Sequence, residues 1–493
     1  MQINSLLNRF LKYGLDKGLI SELDIEYTAN KMLAFLKLDE FKEEKVDSYD
    51  FLSDLSELVE YAKDKDFIGD SIYEKEIFIA SFMDLLMPRP REVQHQFDVL
   101  YNEDPKKAVD YFYNLSHDNY YIQYDKTAKN VKWTYKSEEY GNIHLTINVS
   151  KPEKDPKEIA LLKKSKSTSY PSCPLCKENV GYLGRINHPA RSNHRIIKIR
   201  LNNEVWYFQY SPYAYYNEHS IVLSKEHRPM VINKNTFKCL LDFIDLFPHY
   251  FIGSNADLPI VGGSILNHDH YQAGNYHFPI EDARVLSEVV LNNEITLSTL
   301  KWPLSTIRIR GTSKEKLVET ATLIFDTWCN YQDENVDIIA YTNNGRHNTI
   351  TPIARFKDGK YELDLILRNN RISEEYPDGI FHAHRDVHHI KKENLGLIEV
   401  MGLAILPARL KKELALLKDV IKGEIQIDEQ LKQHQSIIDD LKNEKNNPKL
   451  DELILEKTAS IFLKGLSDAG VFKGDEKGQQ AFNKFIELIK QKI

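Results

Sequence analysis

The chain has few cysteines, no long apolar run and no excess of positive charge. Its 493 residues include four cysteines, Cys173, Cys176, Cys239 and Cys329, too few for a disulfide framework, so a cytoplasmic location is expected. No stretch of about 18 apolar residues occurs, and no membrane-spanning helix is expected. With a net charge of -8, the chain has no overall positive potential that would attract nucleic acid or an anionic membrane. We therefore expect no nucleic-acid and no membrane partner.

The remaining composition is that of a globular protein with more than one structural unit. Hydrophobic residues make up 42% of the chain and charged residues 28%, which is enough apolar material for large cores. Apolar spacing of three and four residues predicts helical regions at about 1–115 and 401–493. Between them, alternating segments interspersed with helices predict an α+β centre.

Several segments of the centre are specific enough to predict single elements. The stretch 202–225, "NNEVWYFQYSPYAYYNEHSIVLSK", predicts two strands, and 233–250 predicts a helix. A second helix is predicted near 313–331, followed by strands at 349–359 and at 361–369, "YELDLILRN". The polar connector at 152–172 is predicted to contain a short helix.

The stretch 257–274, "DLPIVGGSILNHDHYQAG", combines an apolar run with alternating polar residues. If 264–273 is extended, His268, His270 and Gln272 share one face, because successive strand residues point to opposite faces. An imidazole can act as base, metal ligand or nucleophile, and a glutamine amide can hold a phosphate oxygen. The alternative, surface histidines at a strand end, accounts less well for a His-x-His-x-Gln pattern.

The "CPLC" turn, Cys173 to Cys176, is a second signal. Two thiolates at this spacing can chelate one metal ion, but a structural zinc needs two further ligands. His227 and His268 are the candidates for them. A redox pair and two buried free thiols are the alternatives.

These motifs resemble those of the class II galactose-1-phosphate uridylyltransferases. The resemblance covers the whole of 257–274, where Asn267 replaces a small residue, and runs over most of the chain. It includes four further stretches: "MPRPREV", "CPLCKENVGYLGRINHPARSNHRII", "SPYAYYNEHSIVL" and "HHIKKENLGLIEVMGLAILPARLKKEL".

The resemblance implies a histidine-triad-like antiparallel sheet core of two related halves, at 116–300 and 301–400. By similarity to the first class of these enzymes, His270 is the expected nucleophile and Gln272 the expected phosphoryl ligand. The implied zinc ligands are Cys173, Cys176, His227 and His268. A homodimer is also expected from the resemblance only.

The implied reaction transfers UMP from UDP-glucose to a hexose-1-phosphate through a uridylyl-histidine, giving UDP-galactose when the acceptor is galactose-1-phosphate. Arg185, Arg191 and Arg195 are candidate diphosphate ligands, since guanidinium groups pair well with phosphate, and solvent-facing arginines are the alternative. Asn255 is a candidate phosphate ligand. A nucleotide hydrolase or dinucleotide phosphorylase of the same superfamily, and a non-catalytic zinc-stabilised binding protein, are the competing functions.

Overall fold

The computed structural model describes residues 3–150, 168–291, 294–343 and 345–493. It is an α+β protein with a large antiparallel sheet between helical N- and C-terminal regions, which confirms the predicted fold class. No helix within these described ranges is long and apolar enough to cross a membrane. The helix predicted in the connector at 152–172 falls mostly outside them.

The N-terminal region is helical up to the first strand. Proline opens two of its helices, at Pro90 and Pro105, because the first helical position needs no backbone N–H donor. The Asp104 side chain caps the second of these by accepting from the backbone N–H of Lys106 at 2.8 Å. The helices are α1 (Ile3–Asp16), α2 (Ile25–Leu36), α3 (Phe51–Asp64), α4 (Ile72–Asp84), α5 (Pro90–Glu103), α6 (Pro105–Asp118) and α7 (Tyr124–Thr127).

The central sheet has ten strands in the order β3-β4-β5-β7-β6-β13-β14-β10-β9-β8. Its first half consists of β3 (Ile197–Leu201), β4 (Glu204–Tyr210), β5 (Ser220–Ser224), β6 (Phe251–Gly253) and β7 (His270–Gly274). Its second half consists of β8 (Val285–Leu291), β9 (Ile295–Leu300), β10 (Thr306–Gly311), β13 (Asn348–Lys357) and β14 (Lys360–Asn369). The short strands β11 (Tyr341–Thr342) and β12 (Gly345–Arg346) pair only with each other in the described structure.

The two halves repeat one topology and meet where β6 pairs with β13. Each half has three antiparallel strands in sequence, a helix, and two strands that return to the centre of the sheet. The helices are α8 (Lys234–Leu246) and α9 (Lys314–Cys329). Gln272 of β7 pairs with Gly253, Gly253 with Ile353, and Ile353 with Asp364 of β14. By this register, Asp364 and Glu362 occupy the places in the second half that Gln272 and His270 occupy in the first.

The two faces of the sheet have different roles. One face carries apolar side chains such as Phe208, Tyr271 and Leu365, which join α8, α9 and the N-terminal helices in the largest core. The opposite face carries His270 and Gln272, since alternate residues of a strand point the same way. Part of this second face is covered by a separate apolar cluster that includes Ile353 and Leu397.

The C-terminal region is mainly helical but contributes one strand. Leu403–Leu406 forms β15, which pairs in parallel with β2 (Gly141–Ile147), and β2 pairs with β1 (Val131–Ser137). The region 401–493, which the sequence predicts to be mostly helical, thus also contains this strand. The helices are α10 (Leu397–Val400), α11 (Arg409–Lys422), α12 (Gln435–Leu441), α13 (Leu450–Ala469) and α14 (Glu476–Lys492).

Candidate active site and metal centre

His270 is the first residue of β7, and its side chain is 6% exposed. Its Nδ1 lies 2.7 Å from the backbone oxygen of His268, and a carbonyl can only accept. Nδ1 therefore carries the proton, and Nε2 keeps a lone pair. Burial lowers the pKa of His270 to about 4, which favours the neutral ring. The arrangement thus provides a neutral imidazole with a defined nucleophilic nitrogen.

The strand carrying His270 begins six residues later than the sequence predicts, at 270 rather than 264. The preceding residues are held largely by a loop, since Met230 N–H donates to Leu266 O and Asp269 N–H donates to Arg228 O. Asp269 O also accepts from the N–H of Ser224, the last residue of β5. His268 therefore lies outside the strand. The prediction that alternate residues share one face of the strand therefore applies to His270 and Gln272 but not to His268.

Gln272 is half-buried on the same face as His270, and its side-chain oxygen has one protein contact. Nε2 of His219 lies 3.2 Å from Oε1 of Gln272. His219 immediately precedes β5, is 4% exposed, and stacks against the ring of Tyr215 with centroids 5.3 Å apart. His219 was not among the predicted site residues, although it lies in the stretch "SPYAYYNEHSIVL".

The four residues predicted as metal ligands lie together. One donor atom from each of Cys173, Cys176, His227 and His268 falls within a group whose members are all within 4.8 Å of one another. Sγ of Cys176 is 3.3 Å from Sγ of Cys173, 3.0 Å from Nδ1 of His227 and 3.5 Å from Nδ1 of His268. Two thiol sulfurs and two imidazole nitrogens are a donor set used by structural zinc sites. The residues present therefore fit a tetrahedral zinc ion.

Neighbouring groups hold this cluster in shape. The side chain of Asn179 donates to the backbone oxygens of Cys173 and Cys176 at 2.8 and 2.7 Å, and Nε2 of His188 contacts Oδ1 of Asn179 at 2.6 Å. Nε2 of His268 contacts the backbone oxygen of Ser224 at 2.9 Å, which leaves its Nδ1 for the cluster. Asn179 and His188 were not predicted as site residues, because no periodic pattern marks them.

Burial raises the pKa of the Cys176 thiol to about 12, with the neighbouring Cys173 adding to the effect. The protein alone thus disfavours a thiolate here, whereas a bound divalent cation stabilises one. Cys239 and Cys329 are also buried free thiols, in the apolar core rather than in the cluster.

The three predicted arginines have different surroundings. Arg195 is 7% exposed and bound to protein groups, including the Asp84 carboxylate at 2.8 Å and the Pro88 carbonyl at 3.0 Å. Arg185 donates to the Tyr182 hydroxyl at 2.6 Å and to the Tyr170 carbonyl at 2.8 Å. Arg195 therefore ties the strand layer to the N-terminal helices, which accounts for its guanidinium without a ligand.

Arg191 lines a cavity of about 370 Å³ between the N-terminal helices and the loops around residues 186–193. Its guanidinium lies over the Tyr121 ring at 5.3 Å. The same cavity is lined by Gln123, Asn193 and Tyr213. Of the three arginines, Arg191 alone is among the residues lining this cavity.

Asn255 follows β6 and is 4% exposed. Its Oδ1 accepts from the backbone N–H of Leu397 at 2.8 Å. A Cβ atom at Gly263 would lie 2.7 Å from Nδ2 of Asn255, so only glycine allows the loop to approach this side chain. Asn255 is thus fixed between the loop of the 257–274 stretch and α10.

Two protein-family models match the chain. The model described as galactose-1-phosphate uridyl transferase, N-terminal domain, matches residues 18–229, and that of the C-terminal domain matches residues 243–433. Together these matches span well over half of the chain.

Several curated relatives are similar over nearly their whole length. The galactose-1-phosphate uridylyltransferase of Clostridium acetobutylicum is 49% identical over 500 residues, covering 99% of this chain and 100% of the relative. That of Clostridium perfringens strain 13 is 46% identical over 495 residues, with 99% of each chain covered. That of Streptococcus mutans is 46% identical over 492 residues, again with 99% of each covered.

The fold, the site and these matches define an enzyme of the nucleotidyltransferase class. The chain belongs to the galactose-1-phosphate uridylyltransferase family.

Proposed function

We propose that the protein transfers UMP from UDP-glucose to galactose-1-phosphate by a ping-pong mechanism, giving UDP-galactose and glucose-1-phosphate. The observation that carries the mechanism is the contact between Nδ1 of His270 and the His268 carbonyl at 2.7 Å, which leaves Nε2 unprotonated. The family membership supports the choice of substrates. In this proposal the reaction takes place in the cytoplasm, in keeping with the buried free thiols.

In the first step, Nε2 of His270 attacks the α-phosphorus of UDP-glucose. A nitrogen–phosphorus bond forms, the bond to the bridging oxygen breaks, and glucose-1-phosphate leaves with the electron pair. In the second step, a phosphate oxygen of galactose-1-phosphate attacks the uridylyl-histidine and His270 is released. Covalent catalysis divides one displacement into two easier ones. A phosphate is a weakly basic leaving group, so neither step requires a strong general acid.

Gln272 is assigned to the transferring phosphoryl group, because an amide offers neutral N–H donors to its oxygens. Asn255, Arg185 and Arg191 remain proposed substrate ligands. Arg191 lines the cavity of about 370 Å³, but neither His270 nor Gln272 lines it, so this cavity does not favour Arg191 over Arg185 as a ligand of the transferring group. The buried Asp84 pairing of Arg195 favours a structural role for that residue.

Zinc is the proposed metal, held by Cys173, Cys176, His227 and His268. A zinc ion in this position would act structurally, by fixing the segment that leads into His270. The transfer itself is assigned to His270 and Gln272.

The test is the detection of the covalent intermediate. Incubating the protein with UDP-glucose and no acceptor, followed by intact-mass and peptide analysis, is expected to show one uridylyl group on His270. His270→Asn should form no adduct. His277→Asn is the matched control, because His277 lies on the same segment, with its side chain 56% exposed and paired to surface carboxylates. An adduct on another residue, or none in the wild type, would refute the mechanism.

The same experiment separates the competing functions. A hydrolase of this superfamily would release UMP rapidly without any acceptor. A dinucleotide phosphorylase would accept inorganic phosphate, converting the uridylyl group to UDP. The proposed transferase is expected to discharge the adduct much faster with galactose-1-phosphate than with water or inorganic phosphate. Unchanged function in His270→Asn would instead support a non-catalytic binding protein.

A further inference from the structure

The amide of Gln272 has a buried partner that fixes its direction. Nε2 of His219 lies 3.2 Å from Oε1 of Gln272. Gln272 and Ile221 pair across β7 and β5, and His219 lies two residues before Ile221, immediately before β5 begins. The contact therefore joins the two strands that flank one side of the site.

The Gln272 amide could face His219 with either its oxygen or its NH2 group, and the position of the proton on His219 decides between these two orientations. The other ring nitrogen, Nδ1, is buried and has no hydrogen-bond partner among the residues that the structure describes. If the amide were reversed, its NH2 group would donate to Nε2, and the proton would have to reside on Nδ1 as a buried, unpaired donor. Unpaired buried N–H groups are rarer and costlier than unpaired acceptors. The favourable arrangement has Nε2–H donating to Oε1 of Gln272.

We propose that His219 is a positioning residue that holds Oε1 of Gln272, so that the Gln272 NH2 group faces the phosphoryl group being transferred. This inference rests on the proposed function, because it presupposes that Gln272 contacts that group. A glutamine turned the other way would present its carbonyl oxygen to a phosphate oxygen, which is repulsive. A single hydrogen bond thus determines whether Gln272 assists or opposes the reaction.

His219 is itself held in place on both sides. Its ring stacks on Tyr215 with planes 24° apart and lies 4.5 Å from the ring centroid of Tyr216. Its backbone N–H donates to the Tyr216 carbonyl, and its carbonyl accepts from Ser211 N–H. Burial lowers the pKa of His219 to about 4, so that the ring stays neutral with one donor and one acceptor. A fixed, neutral ring suits an orienting role.

The test uses the rate of uridylyl-enzyme formation in single turnover, with purified variants of the full chain. His219→Phe keeps a ring between Tyr215 and Tyr216 but removes the donor, and is expected to slow the step by about 10-fold or more. Gln272→Ala should slow it by a comparable factor. The double variant His219→Phe, Gln272→Ala should be no more than about twofold slower than Gln272→Ala, because without Gln272 there is nothing to orient.

Conservative variants give a second, independent measurement. His219→Gln places a donor near the position of Nε2 and is expected to stay within about threefold of the wild type, whereas His219→Asn is too short and should resemble His219→Phe. This pair carries the test alone if His219→Phe does not fold. Ser220→Ala is the matched control, because Ser220 is the buried neighbour on the opposite face and its Oγ has no hydrogen-bond partner. It should leave the rate unchanged.

Each outcome is decisive. A normal rate in His219→Phe, or the same factor lost in the presence and absence of Gln272, would overturn the inference while leaving the uridylyl-histidine mechanism intact. The inference would also be overturned if His219→Gln were as slow as expected for His219→Phe while His219→Asn kept the wild-type rate. Absence of the adduct in the wild type would refute the proposed function and the orienting role together.

Discussion

Replacing Asp364 with asparagine is expected to destabilise the protein strongly, although the change leaves the size of the side chain nearly unaltered. Asp364 is fully buried and accepts from Nε and Nη2 of Arg308 at 2.6 and 2.9 Å, and from Nη1 of Arg355 at 2.8 Å. Glu362 is the second buried carboxylate beside Arg355. This ion cluster links β10, β13 and β14.

The expected loss of folding stability can be estimated from the guanidinium charge that the substitution leaves unpaired. The guanidinium groups of Arg308 and Arg355 are 8% and 6% exposed. Glu281 and Arg310 complete the cluster, so that three carboxylates face three guanidinium groups and charge is nearly balanced. Asp364→Asn leaves one buried positive charge uncompensated, and breaking a buried pair in this way costs about 3–5 kcal/mol. Burial alone would raise the pKa of Asp364, but the two guanidinium groups outweigh it and hold the pKa at about 2. The stabilisation should therefore persist above pH 4 and be lost only as pH falls through 2.

Urea unfolding at pH 7, followed by circular dichroism, measures the effect. The midpoint of Asp364→Asn should fall by about 1 M or more. Asp358→Asn is the control, because Asp358 is 77% exposed and lies 3.5 Å from Arg310 in a surface ion pair, which is worth about 0–1 kcal/mol. If the two variants unfold at similar urea concentrations, the assumption of a buried, charge-balanced cluster is incorrect.

Three further predictions concern the metal ion, the pH dependence of stability, and the contact between Gly263 and Asn255. Cys176→Ser should lose most of the bound zinc, as measured by metal analysis, and lower the melting temperature; full stability without metal would contradict the zinc assignment. Burial lowers the pKa of His194 to about 3, so the unfolded state binds the extra proton first and stability falls as pH drops below 6.5, by up to about 1.4 kcal/mol per unit. His194→Gln should reduce the slope in urea titrations by the share of this one residue, since other buried histidines such as His188 and His389 have pKa values lowered to about 4 and contribute too; an unchanged slope would refute a contribution from His194. Gly263→Ala should displace Asn255 and reduce kcat/KM by about 10-fold, and it should also lower stability because the Leu397 N–H would lose its partner; normal kinetics would show that Asn255 tolerates the displacement.

The sequence predicted the parts of the site that depend on local pattern. The spacing in "CPLC" and in His-x-His-x-Gln is short, so the cysteines, His268, His270 and Gln272 were identifiable. His227 was also predicted, and it lies in the cluster. The β4, β5 and β14 strands and the α8 and α9 helices followed from periodicity.

The parts that were missed depend on partners distant in the chain. The stretch before His270 contains an apolar run and two glycines, as a strand would, but Leu266 and Asp269 bond to the backbone of the 228–230 loop, and Asp269 also bonds to Ser224 at the end of β5. β15 forms because Leu403 meets His144 of β2, a pairing that local periodicity does not specify. The role of His219 depends on a hydrogen bond to a residue 53 positions away. The buried pairing of Arg195 with Asp84 spans 111 positions, and sequence alone does not distinguish it from a ligand-binding arginine.

Because the two halves of the sheet share one topology, equivalent positions in the two halves can be compared, and substitutions there should have different effects. In the second half, Glu362 and Asp364 occupy the positions equivalent to the histidine and glutamine of the first half, and they are bound to arginines rather than open to a ligand. The sheet therefore has two halves of related topology, and the proposed nucleophile lies in the first half, so under the proposed function a fully modified enzyme should carry a single uridylyl group. Inherited or engineered changes on the polar face of the second half should reduce the amount of folded enzyme, whereas changes at the matching positions of the first half should reduce turnover in enzyme that is still folded.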